Sequence, residues 1–383
     1  MKNVKKLGLV FLMFCFAVSM AFAGGGQARG GDAINIGVVF PQSGPVAHFG
    51  IDSRDGIILA TEEINAAGGL LGRQINLIIE DDEGSAPLTV AAFRKLTIQD
   101  RVGIVLGSST SGATMAIGPL AQEQGVVLIS PSATNINVTR AGNFVFRACF
   151  IDPFQGVVGA DFSYDHLRAR RAAVLYDAGA DYNTGLAESF VARFRERGGQ
   201  VVANEAYQTG DVDFNAQIVR IRAANPEVIY LPNYYNDVAL QAMQLRAQGI
   251  NVPLVGGDGW SGVAENAGPE AAGGFWSAAF SADTTDPKGA AFARTFQARF
   301  NRPSAQFSAL GYDTMMIVAD AIRRAGSIEP RAVRDAMAMT DGAYVTGNIR
   351  FDADRNPIKG AAILEIQNVG GRLANVYRTT VNP

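Results

Sequence analysis

The sequence predicts an α/β protein made of two doubly wound parallel-sheet lobes joined by a multi-segment hinge. From Ile34 onward, apolar runs of strand length alternate with helical patterns, and this cycle occurs twice at similar length. The strand runs are continuous rather than alternating, which marks parallel strands covered on both faces. No polar or low-complexity linker separates the two cycles. Several short crossings between lobes are therefore expected, not one tether.

The chain opens with a basic head (Lys2, Lys5, Lys6), an apolar run from Leu7 to Met20 and the small-x-small site Ala21-Phe22-Ala23. That order predicts a signal peptide over residues 1–23, cleaved on export. The run is short for a bilayer span. Phe14, rather than a small residue, precedes Cys15, which argues against a lipid anchor. Residues 24–33 read as a disordered Gly-rich tail.

The first cycle follows. Strands are expected at Ile34–Phe40, Ile75–Ile79, Gly103–Leu106 and Val126–Ile129, with helices at Phe49–Ala67, Leu88–Asp100 and Gly112–Gln124. In the second cycle strands are expected at Ala172–Tyr176, Val201–Ala206, Val228–Leu231 and Leu254–Val255. Helices are expected at Asn183–Arg197, Phe214–Ala224 and Asp237–Gln248. Residues 288–300 and 305–325 read as helical, and Asn348–Phe351, Ala361–Gln367 and Arg372–Arg378 as short strands. The expected division places 34–152 with 281–359 in lobe 1, and 153–280 with 360–383 in lobe 2.

Composition narrows the function. Without the three leader lysines the chain has 30 basic and 36 acidic side chains, a net charge of −6 with His neutral. That argues against a nucleic-acid partner. Outside the leader the only cysteine is Cys149, so no internal disulfide is expected and the thiol reads as core. No phosphate-binding glycine loop is present; Phe40-Pro41-Gln42-Ser43-Gly44-Pro45 follows the first strand. His48 and His166 are far apart, leaving little from which to build a zinc site or a nucleophilic triad. The run Glu80-Asp81-Asp82-Glu83 ends a strand and reads as capping rather than metal binding. No enzyme activity, metal or cofactor is expected.

In parallel sheets ligands bind beyond the carboxyl ends of the strands. After strand three stands Gly107-Ser108-Ser109-Thr110-Ser111-Gly112, and a helix follows. Its free N–H groups and hydroxyls suit an anion. After strand four comes Ser130-Pro131-Ser132-Ala133-Thr134. Either segment alone is ordinary helix capping; two neighbouring ones favour a carboxylate site. The second cycle supplies Tyr176-Asp177 through Tyr182, then Tyr234-Tyr235, then Asp258-Gly259-Trp260. Asp258 facing an anion site can pair with an ammonium, and the two together match an α-amino acid.

These segments resemble the leucine/isoleucine/valine-binding protein family, type I periplasmic solute-binding proteins of ABC importers. The resemblance rests on Ile36-Gly37-Val38, Pro41–Pro45, Asn65-Ala66-Ala67-Gly68-Gly69, Ile129–Thr134 and Tyr230–Tyr235, and runs from about Ile34 to the C-terminus. It implies a type I periplasmic binding protein fold. It also implies ligand contacts from Ser111, from Ser132 through its backbone, and from Thr134, Tyr182 and Tyr234. Asp258 would stand at the ammonium partner's position, where Glu is common, and Phe49 and Phe307 at aromatic walls. Ser109 and Thr110 would line the ligand side chain, more polar there than an apolar-selective member. The implied function is extracytoplasmic capture of a small aliphatic L-amino acid, branched-chain or similar, by a monomer that delivers it to a membrane permease. The alternative is an amino-acid or amide sensor acting through a separate signalling partner.

Overall fold

The computed structural model describes residues 32–382. The expected signal peptide and residues 24–31 of the expected tail lie outside the described residues. The first sheet is built from β1 (Ile34–Phe40), β2 (Ile75–Asp81), β3 (Ile104–Gly107), β4 (Val127–Ser130) and β5 (Val145–Arg147). Its order is β2-β1-β3-β4-β5 and every pairing is parallel. Helices α1 (Ala47–Ala66), α2 (Ala86–Arg94) and α3 (Ser111–Gln124) connect the strands. β3 and β4 are buried along their whole length, which is why their sequences are unbroken apolar runs.

The chain then enters a second sheet through α4 (Asp152–Asp161). The strands are β6 (Arg171–Asp177), β7 (Gln200–Tyr207), β8 (Val228–Leu231), β9 (Leu254–Gly256) and β10 (Phe275–Ala278). They are linked by α5 (Asp181–Glu196), α6 (Asn215–Ala224), α7 (Tyr235–Ala247) and the short α8 (Val263–Asn266). The order β7-β6-β8-β9-β10 repeats that of the first sheet, again parallel throughout. After β10 the chain returns to the first layer with α9 (Pro287–Phe300), α10 (Gln306–Ala325), α11 (Pro330–Ala338) and the hairpin β11 (Asp341–Tyr344)–β12 (Gly347–Arg350). It crosses a third time into β13 (Ala361–Val369) and β14 (Arg372–Val381), which extend the second sheet in antiparallel fashion.

The sequence reading passed over six of these elements: α4, β5, α8, β10, α11 and β11. α4 contains Pro153, Gly156 and Gly159, and β10 is a four-residue strand behind Gly273-Gly274. α11 buries only Val333 and Met337, one turn apart.

α1 and α10 cross at glycines. A Cβ on Gly56 would lie 1.9 Å from Ser308 O, and one on Gly311 would lie 2.1 Å from Ser53 O. The acidic run after β2 is structural: the Asp81 carboxylate accepts N–H groups of Gln42 and Glu83 and the Ser43 hydroxyl. Asp82 accepts Gly84 N–H, Thr89 Oγ1 and, at 2.5 Å, Ser108 Oγ in the turn after β3. Cys149 is buried, and that burial pushes its thiol up to about 12. His166 is exposed and stacks on Phe162.

Candidate ligand-binding site

In each sheet the strand order reverses between its first strand and the third, β1/β3 and β6/β8, and the carboxyl ends at such a point form a crevice. The two crevices meet. Eight of the ten expected site residues surround one small cavity: Phe49, Ser109, Ser111, Ser132, Tyr182, Tyr234, Asp258 and Phe307. Gly259 completes the lining. Thr110 and Thr134 are buried beside it and do not line it.

One wall is made of hydroxyls. The turns after β3 and β4 are stitched together: Ser130 Oγ donates to Ser108 O (2.6 Å) and Ser132 Oγ to Ser109 O (2.8 Å). Ser111 Oγ accepts the Asn135 N–H at 3.2 Å. Beneath the second turn the fully buried Arg147 donates to Ala133 O and Asn135 O, each at 2.8 Å. α3 begins at Ser111, so its first-turn N–H groups have no helical acceptors. Ser109 Oγ is buried with no protein partner, whereas the Thr134 hydroxyl faces the Asp152 carboxyl and lowers its pKa against the larger upward push of burial. A buried hydroxyl left unpaired costs on the order of 1–3 kcal/mol, so Ser109, which lines the cavity, favours a polar guest.

The opposite wall holds Asp258, only 3 % exposed, at the end of β9. Gly256 and Gly257 precede it because no side chain fits. A Cβ on Gly256 would fall 2.0 Å from the Trp260 indole nitrogen, and one on Gly257 would fall 2.7 Å from the Tyr182 hydroxyl. Trp260 is buried and donates to Leu231 O (2.8 Å), which fixes the turn. Burial pushes the Asp258 carboxyl up to about 7, although hydrogen bonds from Gln155 and Tyr182 oppose the shift. A second buried carboxyl, Asp152, is pushed up by the same cause to about 8. The remaining wall is aromatic. Phe49 meets Phe307 edge-on at 4.7 Å and Tyr234 at 5.5 Å, and Tyr234 stacks on Tyr182 at 5.0 Å.

The lobes also touch directly. Asn135 Nδ2 donates to Asp181 O (2.7 Å), and Gln306 Nε2 to Asp258 O (2.7 Å). Asn135, Gln155 and Gln306 escaped the sequence reading. Nothing in their local sequence marks them, because each acts across a gap of 46 to 103 residues.

The profile of the family described as periplasmic binding protein matches residues 33–371. The Leu/Ile/Val-binding protein BraC3 of Rhizobium johnstonii is 35% identical over 316 residues, 82% of this chain and 84% of that one. The chain belongs to the leucine/isoleucine/valine-binding protein family. This periplasmic binding protein is also 31% identical over 355 residues to a Pseudomonas aeruginosa relative, covering 92% of this chain and 93% of that one. The relative is named a leucine-, isoleucine-, valine-, threonine-, and alanine-binding protein. Among solved structures it is similar to the branched-chain amino acid transporter substrate-binding protein LivJ of Streptococcus pneumoniae in complex with isoleucine. There the TM-score is 0.85 at 33% identity, over 92% of this chain and 100% of that one. The family is one of binding proteins, not enzymes. Among the described residues of this family member, no helix is long and apolar enough to cross a membrane, and no group of three or more His, Cys, Asp or Glu could hold a metal.

Proposed function

We propose that the protein captures a small aliphatic L-amino acid outside the cytoplasm and delivers it to an ABC importer. The observation that carries this is the opposition, across one cavity, of a hydroxyl-rich helix start and a buried Asp258. A carboxylate fits the first and an ammonium the second, with both charges out of water. Phe49, Phe307 and Tyr234 leave an apolar wall for a side chain. Ser109 stands beside it with an unpaired hydroxyl, which supports a small or partly polar side chain alongside leucine. The names of the relatives, one of which includes threonine and alanine, support the same range.

A thermal-shift screen of the common amino acids tests this. A ligand that binds only the native state stabilises it by about 2.7 kcal/mol at a hundredfold excess over Kd. At least one of leucine, isoleucine, valine, threonine, alanine and serine should raise Tm clearly. A screen in which none does, while an unrelated solute does, would overturn the reading. Tight leucine binding with no measurable binding of alanine, serine or threonine would overturn only the assignment of Ser109. Export is tested separately: N-terminal sequencing of the native protein should begin after Ala23, and an intact Met1 would contradict it.

A further inference from the structure

We infer that Gln155 is a positioning residue for the binding carboxylate: its side-chain amide is locked in one orientation, and its NH2 group holds the Asp258 carboxylate at the cavity wall. The inference rests on the amino-acid reading above.

Gln155 lies in α4 and is fully buried. Its Oε1 accepts two donors, the Asp258 backbone N–H at 2.8 Å and the Ser277 hydroxyl at 3.0 Å. An amide oxygen has two lone pairs, and both are used. The nitrogen must then face the other way. There it donates to Asp258 Oδ1 at 3.1 Å and approaches Asp152 Oδ1 at 3.5 Å. The reversed amide would set an oxygen against two carboxylates and a nitrogen against the Asp258 N–H donor. The neighbours therefore decide the orientation.

The choice of an amide has a charge consequence. The groups facing Asp258 are Asp152 on α4, Tyr182 on α5, Tyr230 on β8, Tyr234 at the start of α7 and the Cys149 thiol after β5. The buried Arg147 acts on Asp152 and Cys149 instead. No cation stands against Asp258 itself among its bonded partners. A Lys or Arg in place of Gln155 would neutralise the carboxylate and compete with a ligand ammonium. An amide supports the negative charge by hydrogen bonding and leaves it unspent for the guest. Losing that support makes the carboxylate harder to ionise in a dry site.

The test is calorimetric titration with L-leucine and L-threonine from pH 5.5 to 9, in wild type, Gln155→Met and Ser277→Ala. Affinity should fall toward acid pH as Asp258 takes up a proton. Gln155→Met should weaken binding about tenfold or more at pH 7 and move the pH of half-loss upward. Ser277→Ala, which removes one of the two donors locking the amide, should move it the same way by less. It decides alone if Gln155→Met does not fold. A purely structural role would lower affinity equally at all pH values. An unmoved pH profile in the folded variants overturns the inference. A wild type that binds neither amino acid overturns it together with the proposed function.

Discussion

Asp258→Asn is expected to lower amino-acid affinity by about 30-fold or more, the equivalent of 2–5 kcal/mol for removing one partner of a buried charge pair. The substitution keeps the size and removes the charge. Thr134→Ala should cost less, because the free N–H groups at the start of α3 would still hold the carboxylate. The same Asp258→Asn variant should be more heat-stable than wild type when ligand-free at pH 8. The sign follows from linkage. The folded carboxyl titrates at about 7, above its unfolded value of about 3.9. Between those values the folded state holds the extra proton, so stability falls as pH rises through that window. Asparagine carries no such penalty, and the gain should shrink toward pH 4. If Asp258 only capped its turn, the variant would bind normally and melt slightly lower. Titration calorimetry and melting curves at two pH values separate the cases.

Gly56→Ala and Gly311→Ala should each lower Tm, although Ala is favoured over Gly inside a helix by about 1 kcal/mol. The added methyl would meet backbone oxygen at 1.9 Å and 2.1 Å respectively, which no side-chain rotation can relieve. α1 and α10 would have to separate. Overpacking of this kind costs about 1–3 kcal/mol, occasionally more, and each kcal/mol is worth about 2–4 °C in a domain of 150–250 residues. The double variant should cost less than the sum, since one separation relieves both clashes. Because Phe49 and Phe307 sit on these two helices, ligand affinity should fall as well. A rise in Tm for either single variant would mean that the helices do not cross this closely.

What the sequence disclosed follows from where each signal lies. Strands buried on both faces leave continuous apolar runs, and Ile34–Phe40 and Val228–Leu231 could be bounded to the residue. The residues lining the cavity stand just past strand ends or at helix starts, so Ser109, Ser111, Ser132 and Asp258 were legible from position. Gln155 was hidden twice. Its helix is interrupted by residues that read as a turn, and the packing that requires them is tertiary. A Cβ on Gly156 would meet Ser189 Cβ at 2.4 Å, and one on Gly159 would meet the Tyr230 ring at 2.9 Å. Its partner Asp258 is 103 residues away. Thr110 and Thr134 show the opposite limit. Position along the chain marks a residue as near the site, but backbone direction decides whether it lines the cavity or stands behind it.

The cavity takes its walls from both lobes, and that fixes a timescale as well as a shape. Direct hydrogen bonds, Asn135 to Asp181 and Gln306 to Asp258, tie together the two lobes that a molecule between Ser111 and Asp258 would touch. Where escape requires the lobes to part, it is no faster than that parting, a collective motion that in proteins runs over microseconds to milliseconds. Residence time is then governed by how often the cleft gapes, and substitutions in contacts that never touch the guest can lengthen or shorten it.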